Sequence, residues 1–432
     1  MKRGFYTIMA AQFFSSLADN ALLIAAIAML AQLDSPPWLT PLLKFFFTIS
    51  YVVLAFLVGA FADSMPKGRV MFVTNLVKVV GCGLILFNEY LRLGSIPAYW
   101  LVLLAYAVVG LGAAAYSPAK YGILTELLPP ESLVLANAWI EGLTVGSIVL
   151  GNVIGGMLIG PKVSSVLLKF DFPFFDTSID TPPEAAIVVI SLIYVVAALF
   201  NLAIPDTGAR YKHQERNPAR LLLDFSRCFM MLWKDKLGQI SLATTTLFWG
   251  AGACLQFIVI KWAEAHLKLP LEQGAMLSGV SAVGIAIGAA LAARYVPLKR
   301  AVHVLPAGIF MGIVVISMVS LRWMPAIYIA LIMIGAVGGF FVVPMNALLQ
   351  HRGHVLMSAG HSIAVQNFNE NVSILVMLAI YSLMLRLDFR IQSVVVIFGL
   401  FISGAMYGVM RWNAANHRAD PHLDRLIGEA KH

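Results

Sequence analysis

Apolar runs of roughly twenty residues recur from one end of the chain to the other, and each is long enough to cross about 30 Å of hydrocarbon as a helix. The pattern predicts twelve spans, at 5–33, 42–62, 69–92, 98–119, 132–160, 184–204, 240–264, 275–295, 300–321, 325–349, 356–386 and 392–412. Short strands of alternating polarity, the mark of a membrane β-barrel, are absent from this pattern. The first run is too long for a cleavable signal and lacks a small-residue cleavage site, so it is expected to remain as the first span.

The few polar residues inside the runs carry the candidate chemistry. Asp19 is the one charge between Phe5 and Leu33. A carboxylate near mid-membrane is costly unless it faces protein or water. Gln12, Ser15, Ser16, Asp19 and Asn20 follow helical spacing and form one stripe, either lining a cavity or pairing with a neighbouring helix. The eleventh run carries a second stripe of Ser358, Ser362, Gln366, Asn369, Glu370 and Ser373. Asp19 and Glu370 each lie 14 residues past the predicted start of their span, about 21 Å in at 1.5 Å per residue. They are expected on two sides of one cavity, where two carboxylates would attract an amine or a proton.

Other charged or polar positions are more ambiguous. Glu141 in the fifth span is expected to form a structural ion pair with Lys78 in the third. Gln256 shares a face with Thr245, Trp249 and Gly252, which points it towards the cavity. Lys261 and Glu264 read as a surface pair at the outer end of the seventh span.

The order of spans suggests two halves. A basic connection over 205–238 follows the sixth span, with Leu221, Leu222, Phe225, Phe229 and Met230 as an apolar face. It reads as an amphipathic helix on the inner leaflet. It separates an N-terminal six-helix half (1–204) from a C-terminal half (239–412), with a tail over 413–432. Gly112 to Pro118 and Gly338 to Pro344 share their spacing, each in the fourth span of its half. Two parallel six-helix repeats resemble the all-α, polytopic fold of the major facilitator superfamily, with a binding site between halves near the midplane. Gly59-Ala-Phe-Ala-Asp63-Ser-Met-Pro-Lys67-Gly-Arg69 is similar to that superfamily's loop between its second and third helices, although Ser64 and Pro66 depart from it. By that resemblance Asp63, Lys67 and Arg69 would latch one access state.

Composition and charge fix the setting. The chain is 60% hydrophobic and 12% charged, with a mean hydropathy of +0.84. Counting span ends with the loops, 20 of the 30 basic residues fall on the side that holds both termini and 8 on the other. The positive-inside rule therefore predicts cytoplasmic N and C termini. The net charge of +8 is attributed to loops beside anionic lipid rather than to nucleic acid. Cys82, Cys228 and Cys254 give neither a disulfide framework nor a metal site, and no metal or other cofactor is expected. No metalloprotease, nucleophile-elbow or Walker motif is present, so the chain is not expected to be an enzyme.

Six blocks, in order across both halves, bear a closer resemblance. They are Ala18-Asp-Asn-Ala-Leu-Leu, Asp63-Ser-Met-Pro-Lys-Gly-Arg-Val-Met, Gly112-Ala-Ala-Ala-Tyr-Ser-Pro-Ala-Lys-Tyr-Gly-Ile-Leu, Leu247-Phe-Trp-Gly-Ala-Gly, Gly338-Gly-Phe-Phe-Val-Val-Pro-Met-Asn-Ala-Leu-Leu-Gln and Ala364-Val-Gln-Asn-Phe-Asn-Glu-Asn. On these the chain resembles the bacterial lysophospholipid transporter (LplT) family. The resemblance implies flipping of lysophosphatidylethanolamine and related lysophospholipids from the outer to the inner leaflet of the bacterial inner membrane. There an acyltransferase/acyl-carrier-protein synthetase would restore the second acyl chain. It also implies headgroup contacts at the charged positions Asp19 and Glu370, beside which Asn20 and Gln366 of the two polar stripes are further substrate-binding candidates. Gln256 stands where the family carries an arginine, which removes one phosphate-pairing cation. Lys120 is another candidate for that contact. Phe13, Phe14, Phe340 and Phe341 are candidates for an acyl-chain path. A proton-coupled facilitator for a small cationic solute or drug is the alternative function.

Overall fold

A computed structural model describes residues 3–63, 65–88, 97–127, 130–169, 179–206, 217–357, 359–421, 423 and 425. The described residues are helices joined by short connections: α1 (Arg3–Gln32), α2 (Thr40–Val53), α3 (Val58–Asp63), α4 (Lys67–Leu86), α5 (Ala98–Leu127), α6 (Pro130–Ile159), α7 (Pro161–Leu167), α8 (Pro182–Leu202), α9 (Pro218–Lys234), α10 (Gly238–Leu267), α11 (Leu271–Tyr295), α12 (Leu305–Ser317), α13 (Met324–Leu356), α14 (Ala359–Arg386) and α15 (Ile391–Ala419). Eleven of the segments are long and apolar enough to cross a membrane, and Pro37–Val53 is a shorter apolar segment.

The second predicted span is interrupted. A turn over Leu54–Leu57 separates α2 from α3. Its backbone stays bonded, with the Leu57 and Val58 amides donating to the Leu54 carbonyl at 2.8 and 3.0 Å, so the chain bends without stranding polar groups. Helix starts follow local chemistry. Pro182 occupies the first turn of α8, where its missing amide is harmless, and Glu184 Oε2 accepts from the Thr181 amide at 3.0 Å. Pro118 and Pro344, the matched prolines, both lie inside helices, α5 and α13.

The chain divides into two compact units, Met1–Arg216 with Leu269–Gly279, and Asn217–Lys268 with Val280–His432. In unit 1, α1 packs against α6 and α8, and α4 packs against α5 and α8. In unit 2, α10 packs against α13 and α14, and α12 against α13 and α15. Small residues permit close approach of α11 and α13. A Cβ on Gly284 or Gly288 would meet the backbone at Ile332 or Ala336, and one on Gly335 or Gly339 would meet that of Ser281 or Ile285. Both pairs are spaced Gly-x-x-x-Gly, the pattern that lets membrane helices touch backbone to backbone.

The connecting helix α9 belongs to unit 2. Asn217 caps its start by accepting from the Ala219 amide at 3.0 Å. Its apolar residues divide. Phe225 and Phe229 pack against Phe368 at ring separations of 5.3 and 6.1 Å, and Trp233 stacks on Trp412 at 6.4 Å. Leu222, Leu223, Met230 and Met231 are exposed. The single apolar face expected from the sequence is thus two faces, one against protein and one bare.

Candidate functional site

Asp19 sits where helices α1, α4 and α8 meet. Lys78 of α4 donates to both of its carboxylate oxygens at 2.8 and 2.9 Å, and the Tyr194 hydroxyl of α8 donates to Oδ1 at 2.7 Å. Lys78 Nζ also donates to Ser15 Oγ at 3.0 Å, and Ser15 donates to Asn75 at 2.8 Å. The rings of Tyr116 and Tyr194 each lie 5.3 Å from the ammonium. Lys78 is 1% exposed, whereas Asp19 is 22% exposed. The pair is therefore sealed on the cation side and open on the carboxylate side. Such a cluster keeps two charges tolerable in an apolar helix layer because every charged atom has a partner.

Lys78 is thus paired with Asp19. Glu141, the partner expected from the sequence, has its side chain outside the described residues. The polar stripe of α1 also divides in its use. Ser15 and Asp19 reach other helices, while Asn20 donates back to the Ser16 carbonyl at 2.8 Å. Gly151 of α6 lies against the Asn20 Cβ and the Leu17 carbonyl, so this side of α1 is a helix contact.

Unit 2 holds the second carboxylate. Glu370 is 8% exposed, and Gln366 donates to its Oε1 at 2.7 Å. Gln366 also donates to Asn346 of α13 at 3.0 Å. The neighbouring Asn369 accepts from Trp233 Nε1 of α9 at 3.2 Å and donates to the Val365 carbonyl at 2.8 Å. Glu370 lies 11 residues past Ala359 and Asp19 lies 16 past Arg3, the first described residues of their helices.

The remaining candidates are dispersed. Lys67 is buried at the start of α4 and donates to the Ala62 carbonyl at 2.9 Å, tying the end of α3 to α4. Arg69 is exposed, and the Asp63 side chain lies outside the described residues. Pro66–Arg69, Ile123 and Asn201–Asp206 without Ala203 line a cavity of about 330 Å³. Lys120 on α5 and Gln256 on α10 are half-buried. Lys261 pairs with Glu264 at 2.9 Å on the surface. Phe14 stacks on Phe200 at 5.7 Å, and Phe341 is buried edge-on to Phe248 at 5.7 Å, so these two aromatics serve helix packing.

Sequence reasoning missed several partners. Tyr194, Tyr116 and Asn346 gave no local signal, since single polar groups in apolar runs are common. Asn75 and Lys78, three apart in an otherwise apolar run, were the readable hint. The fork between Arg352 and Asp235 was also missed. Arg352 Nε and Nη2 donate to the two carboxylate oxygens at 3.1 and 2.7 Å, with both side chains buried. Asp235 Oδ1 also accepts from the Gly238 amide at 2.7 Å, joining α9, α10 and α13.

The Major Facilitator Superfamily profile matches residues 8–374. The chain belongs to the Major Facilitator Superfamily. Two relatives carry the name lysophospholipid transporter LplT. The one from Yersinia enterocolitica serotype O:8 / biotype 1B is 40% identical over 388 residues, 90% of this chain and 88% of the relative. The one from Yersinia pestis (strain Pestoides F) is 40% identical over 395 residues, covering 91% and 90%. Solved facilitators share the fold. A bacterial homologue of the human lysosomal transporter Spinster, inward-facing and occupied, aligns with a TM-score of 0.62 at 13% identity, covering 98% of this chain and 95% of that one. A point mutant of the nucleoside transporter NupG aligns with a TM-score of 0.66 at 9% identity, covering 96% and 100%. The superfamily's fold, with the eleven long apolar helices, makes this a multi-pass membrane protein.

Proposed function

We propose that the protein carries lysophosphatidylethanolamine and related lysophospholipids from the outer to the inner leaflet of a bacterial inner membrane by alternating access, leaving them chemically unchanged. The observation that carries this reading is 40% identity over nine-tenths of the chain to the Yersinia lysophospholipid transporters. The polar groups suit the cargo. A zwitterionic headgroup offers an ammonium, and the reachable carboxylate of Asp19 and the Glu370–Gln366 pair offer acceptors for it. Asn20, Lys120 and Gln256 are the further headgroup candidates. Asp63, Lys67 and Arg69 would hold one access state closed, consistent with Lys67 already bridging α3 and α4. Both termini would be cytoplasmic, the bare apolar side of α9 would rest on the inner leaflet, and an acyltransferase would consume the delivered lysolipid.

Leaflet-resolved uptake of labelled lysophosphatidylethanolamine, in cells lacking their native transporter, tests the reading. Asp19→Ala and Glu370→Ala are each expected to lower uptake at least tenfold while the protein still inserts. Near-normal uptake in both variants would reject them as headgroup residues. Uptake that collapses with the proton gradient and extends to small cations, with none of lysolipid, would favour the proton-coupled alternative.

A further inference from the structure

We infer that Lys78 receives the phosphate of the transported headgroup, which enters by exchanging partners with the resident Asp19–Lys78 pair. The inference rests on the lysophospholipid reading above and assigns the half of the zwitterion that carboxylates cannot hold. The ammonium of Lys78 is surrounded by oxygen acceptors, namely both oxygens of Asp19 and the hydroxyl of Ser15. A phosphate presents the same kind of acceptor. Asp19 is the accessible member and Lys78 the sealed one, at 22% and 1% exposure. An incoming ammonium therefore meets Asp19 first. As the carboxylate turns towards it, Lys78 loses its partner and the phosphate takes the vacated place.

Three features of the cluster suit that exchange. The Tyr116 and Tyr194 rings, each 5.3 Å from Nζ, attract the cation without neutralising it, and this steadies Lys78 while partners change. The Tyr194 hydroxyl, which now donates to Asp19, is placed to donate to whichever anion lies beside Lys78. The charge count also stays even. A neutral ion pair plus a neutral zwitterion becomes two neutral pairs, so no net charge is added in the apolar layer.

The two roles separate when the pair is dismantled in steps. Binding of labelled lysophosphatidylglycerol, which has the phosphate but no amine, and of labelled lysophosphatidylethanolamine would be measured on the purified full-length chain, wild type, Asp19→Asn and Asp19→Asn/Lys78→Gln. Asp19→Asn leaves Lys78 without its carboxylate partner and is expected to bind lysophosphatidylglycerol at least threefold more tightly than wild type, and the double variant at least tenfold more weakly than Asp19→Asn. Equal affinity in the single and double variants would overturn the assignment. Should Asp19→Asn alone misfold, Asp19→Ser and Asp19→Ser/Lys78→Gln take the place of the two variants. Lysophosphatidylglycerol binding at least tenfold weaker in the second of these than in the first is then expected, and equal binding overturns the assignment. Wild type that binds lysophosphatidylglycerol as tightly as Asp19→Asn does would overturn the exchange, because without an ammonium nothing draws Asp19 from Lys78. Wild type that binds neither lysolipid overturns the function itself.

Discussion

In unit 1 the carboxylate of Asp19 faces an ammonium; in unit 2 the carboxylate of Glu370 accepts from the amide of Gln366. The two residues entered as equivalents, each the acidic member of a polar stripe in an apolar helix. Their surroundings differ in kind. The Asp19 partners come from different helices, Lys78 on α4 and Tyr194 on α8, so this pair ties three helices together. Gln366 lies one turn before Glu370 on the same helix and reaches across to Asn346 on α13. A cross-helix ion pair makes stability depend on both partners. The Gln366–Glu370 bond itself runs along one helix, and the tie it carries to α13 is a neutral amide contact through Asn346.

The largest expected effect tests that difference directly. Lys78→Leu strands the Asp19 charge, and removing one member of a buried pair costs about 3–5 kcal/mol. Gln366→Leu removes a hydrogen bond to a charged group, about 1.5–3 kcal/mol, together with the neutral bond to Asn346, about 0.5–1.5 kcal/mol, with no charge left stranded by an absent counterion. Thermal unfolding of the two purified variants should therefore show the lower midpoint for Lys78→Leu. Asp19→Asn/Lys78→Gln, which removes both charges, should recover most of the loss. Equal midpoints for Lys78→Leu and Gln366→Leu would erase the distinction between the units.

A smaller effect sharpens the picture of unit 1. Tyr194→Phe removes the hydroxyl bonded to Asp19 at 2.7 Å but keeps the ring beside Lys78. The expected cost is about 1.5–3 kcal/mol, as for a hydrogen bond to a charged group. If the variant melts with wild type, the carboxylate is held by Lys78 alone and α8 contributes only packing.

How much of this was readable follows from whether the signal is local. Helical spans were legible because length and apolar character are written into consecutive residues, and the superfamily's fold followed from their number and order. The bend at Leu54–Leu57 was not, since its residues are as apolar as those around it. Asp19 stood out as a lone charge, and Gln366 with Glu370 as an i, i+4 pair. The pairing of Lys78 with Asp19 was not read, because pairing across helices depends on tertiary contact; Asp19 lies 59 residues away in sequence. The same limit applies to α9. Its amphipathic character was visible, but Phe368 and Trp412, which decide which apolar residues face protein, are far along the chain.

The smallest expected effect probes how α9 reaches the unit 2 site. Trp233 donates through Nε1 to Asn369, the residue beside Glu370, while its ring stacks on Trp412. Trp233→Phe deletes the donor and keeps an aromatic ring between Phe229 and Trp412. Both bonded groups are neutral, so the loss is about 0.5–1.5 kcal/mol. The unfolding midpoint should fall less than in Tyr194→Phe, and amide hydrogen exchange should quicken in α9 before it changes in α14. Asn369 also keeps its bond to the Val365 carbonyl, which holds its side chain in place without the tryptophan. A fall as large as that of Tyr194→Phe would mean that the contact from α9 is as central to unit 2 as the charged network is to unit 1. The carboxylates would then differ in their partners but not in how tightly their surroundings are bound.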